Sequence, residues 1–177
     1  MEQNYFIDFY KGQIFTKINN EQKLLCNKFE GNIEINLAIV GSRTILDEHF
    51  VKRILNAYKF LFGKPAKVIS GGAKGIDTIA EKWANENNIE TQIFYPDWNK
   101  YGKKAGFIRN EDIIKNCDIC LAIWDGESNG TKNDFEWCKK YHKDLIIFNM
   151  KEFKHGIFSG FHYKIFNELQ TTLLDIS

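Results

Sequence analysis

The chain has 177 residues, 44% hydrophobic and 15% aromatic, which suffices to bury a core and excludes a disordered chain. Its formal net charge is +1 with acids and bases interspersed, so it carries no broad electrostatic footprint for duplex nucleic acid. Apolar runs such as Leu145 to Phe148 are too short to span a bilayer, and Met1-Glu2-Gln3-Asn4 does not open a leader; a cytosolic protein with no membrane partner is expected.

From Tyr5 to Ile18 the pattern is strand, Lys11-Gly12, strand, and Lys23 to Phe29 extends it to a small antiparallel meander. This extension, residues 1–35, is expected to cover a sheet edge or to build a subunit contact. Asn36 to Val40 is the first core strand and runs into Gly41-Ser42-Arg43. Asp47 caps a helix whose apolar residues, from Phe50 to Phe62, keep helical spacing until Gly63 and Pro65.

The second strand, Lys67 to Ile69, ends in Ser70-Gly71-Gly72-Ala73-Lys74-Gly75-Ile76-Asp77. From Ile76 the apolar positions Ile79, Ala80, Trp83 and Ala84 fall on one helical stripe, so the stretch reads strand, glycine turn, helix. Glycines admit close approach to the backbone, and the first amides of a helix are unpaired and carry the positive end of its dipole. Such a turn suits a phosphate. It matches neither GxGxxG nor GxxxxGK[ST], so no dinucleotide or P-loop chemistry, and no cofactor, is expected.

Glu90 to Tyr95 is a third strand, followed by a long connection from Pro96 and a helix from about Ala105 to Lys115 that carries Arg109 and Asn110. Cys117 to Ile123 is a fourth strand, followed by the turn Trp124-Asp125-Gly126-Glu127-Ser128-Asn129-Gly130-Thr131. Thr131 is expected to cap the next helix, with Asp134 at its third position, a capping geometry favoured by the dipole. Leu145 to Phe148 is a fifth strand. Cys117 and Cys120 form a CxxC without a second CxxC or a histidine pair, and within one strand they would face opposite sides, so no metal is expected.

Strand and helix thus alternate five times. The expected fold is α/β: a doubly wound Rossmann-like parallel sheet of about five strands over residues 36–150, with the N-terminal meander and a C-terminal extension, 151–177, holding a helix from about Phe161 to Leu174. The aromatic residues of that extension either pack the core or form a homodimer face. In such sheets ligands sit beyond the carboxyl ends of the strands, and all four turns named above fall on that rim. Arg43, Arg53 and Arg109 are the only arginines among 24 basic residues, and the guanidinium fork matches phosphate in a way lysine does not.

Taken together, Gly41-Ser42-Arg43, Ser70 to Asp77, Pro96-Asp97-Trp98, Tyr101-Gly102, Ala105-Gly106, Arg109-Asn110, Trp124-Asp125-Gly126, Ser128 and Gly130-Thr131 resemble the YspA-like branch of the SLOG superfamily. That superfamily groups DNA-processing proteins of the DprA/Smf type with LOG-type nucleoside monophosphate phosphoribohydrolases. The resemblance implies a Rossmann-like site for a nucleotide ligand. LOG-type enzymes place an arginine before the fourth strand, matched here by Arg109. Their PGGxGTxxE glutamate corresponds to Asp134, one methylene shorter.

The leading expectation is a binding module for a nucleotide-like small molecule. Phosphate would lie on the amides of Gly71 and Gly72 and on the helix start at Gly130 and Thr131, with Arg43 or Arg109 as partner. Asp77 or Asp125 would accept from ribose hydroxyls, and Trp124, Trp98 or Tyr101 would stack on the base. The alternative is an N-glycosidic hydrolase with Asp134, Asp125 or Glu127 as the catalytic carboxylate and Arg109 holding phosphate. Single-stranded DNA binding through Lys100, Lys103, Lys104 and Lys132 is a third reading, opposed by the near-neutral charge.

Overall fold

The computed structural model describes residues 4–10, 13–18, 21–24, 34–152 and 161–164. Apolar central strands, a more polar edge strand and one-sided helices produce the layered arrangement expected of alternating β and α elements. Five parallel strands form its centre: β4 (Asn36–Gly41), β5 (Lys67–Ser70), β6 (Glu90–Ile93), β7 (Ile119–Trp124) and β8 (Asp144–Asn149). Between them run α1 (Glu48–Phe62), α2 (Ile76–Glu86), the short α3 (Trp98–Tyr101) with a 3-10 turn (Gly102–Lys104), α4 (Ala105–Asn116) and α5 (Asn129–Lys140).

Alternate residues of each strand feed two separate cores, as the pleat requires. Leu37, Ile39, Val68, Leu121, Ile123 and Phe148 pack with Val51, Ile54 and Leu55 of α1 and Ile79, Ala80 and Trp83 of α2. On the opposite face Ala38, Val40, Ile69, Cys120, Ala122 and Ile147 pack with Ile113 and Ile114 of α4 and Cys138 of α5. Asp47 caps α1 as expected, its Oδ1 accepting from the Phe50 amide at 2.9 Å.

The N-terminal strands β1 (Asn4–Tyr10), β2 (Gln13–Ile18) and β3 (Glu21–Leu24) form the antiparallel meander and continue the same sheet through β9 (Phe161–Lys164). The strand order is β3-β2-β1-β9-β8-β7-β4-β5-β6 among the described residues, so the chain reverses direction across the sheet between β4 and β7. The helix expected from Phe161 does not begin there. Phe161 is instead buried beside Phe148, ring centroids 5.0 Å apart, and the alternation of Phe161-His162-Tyr163-Lys164 suits a strand antiparallel to β8. The remainder of that expected helix lies outside the described residues, as do positions 25–29 of the third N-terminal segment.

Cys117 and Cys120 are not on opposite faces. Cys117 ends α4, with its thiol donating to the Ile114 carbonyl, so both cysteines fall in the same core as Cys138. Among the described residues no group of three or more His, Cys, Asp or Glu side chains is placed to hold a metal, and no helix is long and apolar enough to cross a membrane.

Candidate functional site

At the carboxyl ends of β4 and β7, where strand order reverses, lies an open cavity of about 560 Å³. Gly41 and Arg43 border it from the end of β4, Ala73 and Asp77 from the glycine turn and α2, and Arg109 and Asn110 from α4. Asp125, Glu127 and Ser128 come from the turn after β7, and Asn129, Gly130, Thr131 and Asp134 from the head of α5. A second cavity of about 510 Å³ adjoins it, bounded by Gly71, Gly72, Lys74, Tyr95, Pro96 and Trp98, and shares Arg43, Ala73 and Arg109 with the first.

The glycine turn is not an open phosphate cradle. Asp77, in the first turn of α2, bends its carboxylate back over the turn, where Oδ2 accepts from the Gly71 and Ala73 amides at 3.2 Å each. The Gly72 amide donates to Ser70 Oγ at 3.2 Å, and that hydroxyl donates to Glu81 at 2.7 Å. Every turn amide expected to hold phosphate is thus already engaged by an internal oxygen. The same engagement makes Asp77 Oδ2 a backbone ligand rather than a free ribose acceptor.

What the turn holds instead is Arg109. Its Nη1 donates to the Gly71 carbonyl and lies 3.9 Å from Asp77 Oδ2, while Nε donates to Asn110 Oδ1 at 2.9 Å. The guanidinium is buried, and burial lowers its pKa while the Asp77 and Asp134 carboxyls oppose that shift. Arginine tolerates such burial because it stays protonated. Asp77 is pushed up to about 6, chiefly by burial, with the Ala73 amide, the Arg109 charge and the Gly71 amide pulling the other way.

The α5 end differs from expectation. Ser128, not Thr131, is the N-cap, its Oγ accepting from the Thr131 amide at 3.5 Å. Asp125 Oδ1 selects that start by accepting from the Glu127 and Ser128 amides at 2.9 and 2.8 Å. Burial pushes Asp125 up, but the Ser128 and Glu127 amides and the Thr44 hydroxyl prevail and hold it at about 2. Asn129 and Gly130 therefore occupy the first two helical positions, and their amides lack intrahelical acceptors.

Asp134 consequently lies in the second turn of α5 and is not a capping residue. It is buried, borders the larger cavity, and its Oδ1 has no partner among the described residues. Burial pushes its pKa well above the usual carboxylate range; Asp77 adds to that shift and Arg109 opposes it.

Six expected site residues border neither cavity, among them Tyr101, which is 39% exposed beneath the Lys100 ammonium. Ser42 is buried and its Oγ accepts from the Asp125 amide; Ser70 braces the glycine turn. Gly75, at φ 81°, packs against the carbonyls of Ser42, Arg43 and Ile45. Gly126 turns beside Lys151. Trp124 packs edge-on against Phe135 and donates to the Ser128 carbonyl, so it does not stack in the site. Thr44 and Tyr95 are given no site role by the sequence, and Ala73, Lys74 and Asn129 enter it only within quoted motifs; Tyr95, read there as the end of a strand, follows β6 and so lies on the rim.

Residues 35–101 match the YspA, cpYpsA-related SLOG family. The chain is 36% identical over 90 residues to the Gene 61 protein of Mycobacterium phage D29, a match covering 48% of this chain and 72% of that protein. Among solved structures it is similar to DNA processing protein A of Streptococcus pneumoniae, with TM-score 0.50, 23% identity, and 64% of this chain against 50% of that one. For DNA processing protein A of Helicobacter pylori the TM-score is 0.51 and the identity 20%, over 64% of this chain and 65% of that one. The chain spans between half and just under two thirds of those two proteins, and likeness at these identities concerns the fold.

Proposed function

The chain belongs to the YspA, cpYpsA-related SLOG family, and on that footing we propose that it binds a nucleotide or nucleotide-derived small molecule in the rim cavity. The observation carrying this reading is the convergence of two guanidinium groups, Arg43 and Arg109, with the first two residues of α5, Asn129 and Gly130, whose amides have no acceptor within the helix, on one cavity. A phosphate between them gains charge-assisted hydrogen bonds and the α5 dipole, without displacing Asp77 from the glycine turn.

Calorimetric titration with AMP and adenosine tests it. AMP is expected to bind, adenosine to bind at least tenfold more weakly, and Arg43→Ala to reduce AMP affinity by a similar factor. Equal affinities for AMP and adenosine, or no binding of any nucleoside monophosphate, would sink the proposal.

A second reading, N-glycosidic hydrolysis, is favoured by Asp134 alone. A buried carboxyl with one unpartnered oxygen and a raised pKa is suited to donate a proton to a leaving base, rather than to attack the sugar. Single-stranded DNA binding has its own observation. The Helicobacter pylori structure is described as giving insight into a single-stranded DNA binding mode, and here exposed Trp98, Tyr101 and Phe107 alternate with Lys100, Lys103 and Lys104.

A further inference from the structure

The smaller cavity differs in chemistry from the larger. Three cations, Arg43, Lys74 and Arg109, border it, and no carboxylate does. Besides backbone and small residues of the glycine turn and Pro96, its wall carries two aromatic rings, Tyr95, 72% exposed, and Trp98, 53% exposed. Neither ring is core packing. Tyr95 rests on a glycine, where a Cβ at Gly72 would meet its ring at 2.7 Å; Trp98 lies over Gly106 with room left for a Cβ 3.7 Å away. The absent side chain at position 72 lets Tyr95 lie on the turn with most of its surface left to solvent. Exposed rings beside cations offer what a nucleobase with an attached phosphate requires, a π surface at one end and positive charge at the other.

We propose that this cleft is the base subsite of the molecule, in which a nucleobase stacks on Tyr95 and Trp98 while its phosphate lies at Arg43 and Arg109, the residues shared with the larger cavity. The proposal rests on the nucleotide reading above and orients the ligand, with its base toward α3 and its phosphate toward α5. It also replaces Trp124 by Tyr95 as a base-contacting ring. The same chemistry is presented by a free nucleotide and by one unit of a single strand, and the test separates them.

The full-length chain would be titrated with AMP, ribose 5-phosphate and a short oligothymidylate, following tryptophan emission and affinity in the native protein, Tyr95→Ala, Trp98→Ala and Trp98→Phe. Expected are a loss of AMP affinity of roughly fivefold to a hundredfold in each alanine variant, unchanged ribose 5-phosphate binding, and an AMP-induced emission change that Trp98→Phe abolishes. Oligothymidylate binding that needs both rings while AMP fails to bind would assign the cleft to a strand. AMP and ribose 5-phosphate binding alike, with both alanine variants taking AMP as the native protein does, would overturn the base subsite and leave the phosphate site standing. No binding of any of the three probes would overturn both.

Discussion

Gly71 and Arg109 fit together only because position 71 has no side chain: a Cβ there would lie 2.0 Å from Nη1 of Arg109 and 2.5 Å from its Cζ. The same Cβ would stand 2.9 Å from Asp77 Oδ2, so the clash falls on both members of a buried pair. Gly71→Ala should expel the guanidinium from its place between the Gly71 carbonyl and Asp77, at a cost of about 3 kcal/mol or more. AMP affinity of the folded variant is expected to drop at least tenfold, with the thermal midpoint lowered by several degrees or more. Unchanged affinity in a folded Gly71→Ala protein would show that Arg109 is not a ligand group.

Asp77 gives a pH signature. Its carboxyl titrates at about 6 in the folded chain, principally through burial, against an ordinary 3.8. The folded state thus holds this proton more tightly than the unfolded state, so the contribution is complete below the ordinary value and is lost as pH rises through 6. The swing is about 3 kcal/mol at most. Thermal unfolding from pH 4 to pH 8 is expected to show Asp77→Asn losing less stability than the native chain as pH rises through that window. Parallel curves would place the origin of any pH dependence elsewhere.

Gly41 and Gly106 make an opposed pair. At Gly41 a Cβ would stand 2.4 Å from the Ile123 carbonyl oxygen and 2.6 Å from Ile76 Cγ1, squeezing β4, β7 and α2 where they meet beneath the cavity. Gly41→Ala should cost about 2 kcal/mol or more and lower the thermal midpoint by several degrees. At Gly106, inside α4, the nearest atom is 3.7 Å away, so Gly106→Ala should be neutral or stabilise by up to about 1 kcal/mol. Similar midpoints for the two variants would contradict this account of the strand crossing.

The alternation of β and α was legible because it rests on local periodicity, and so was Arg109, an arginine among lysines. What escaped depends on side chains reaching across the chain. Nothing in Gly71-Gly72-Ala73 announces that Asp77 folds back to occupy it, because an aspartate in a first turn reads equally as a dipole partner. Thr131 reads as the cap from its spacing to Asp134, but Asp125, gripping the Ser128 amide from outside the helix, sets the start at Ser128 instead. Phe161 to Lys164 alternates as a strand does, but that signal was submerged in an aromatic-rich extension and emerged only with β8 beside it.

Asp134 separates binding from chemistry. Its buried carboxyl favours the protonated form, and its Oδ1 meets no partner among the described residues. Asparagine is nearly isosteric with the neutral acid, so Asp134→Asn should shift stability near neutral pH by less than about 1 kcal/mol. If a base lies in the larger cavity, rather than in the cleft of Tyr95 and Trp98, and the carboxyl delivers a proton to it as it departs, the amide cannot replace that carboxyl. Incubation with nucleoside monophosphates and chromatography for free base should then show release by the native chain and none by the variant, with AMP affinity equal in both. Release that persists in Asp134→Asn removes this residue from the reaction, and AMP binding with no release by either protein makes the cavity a receptor rather than a hydrolase.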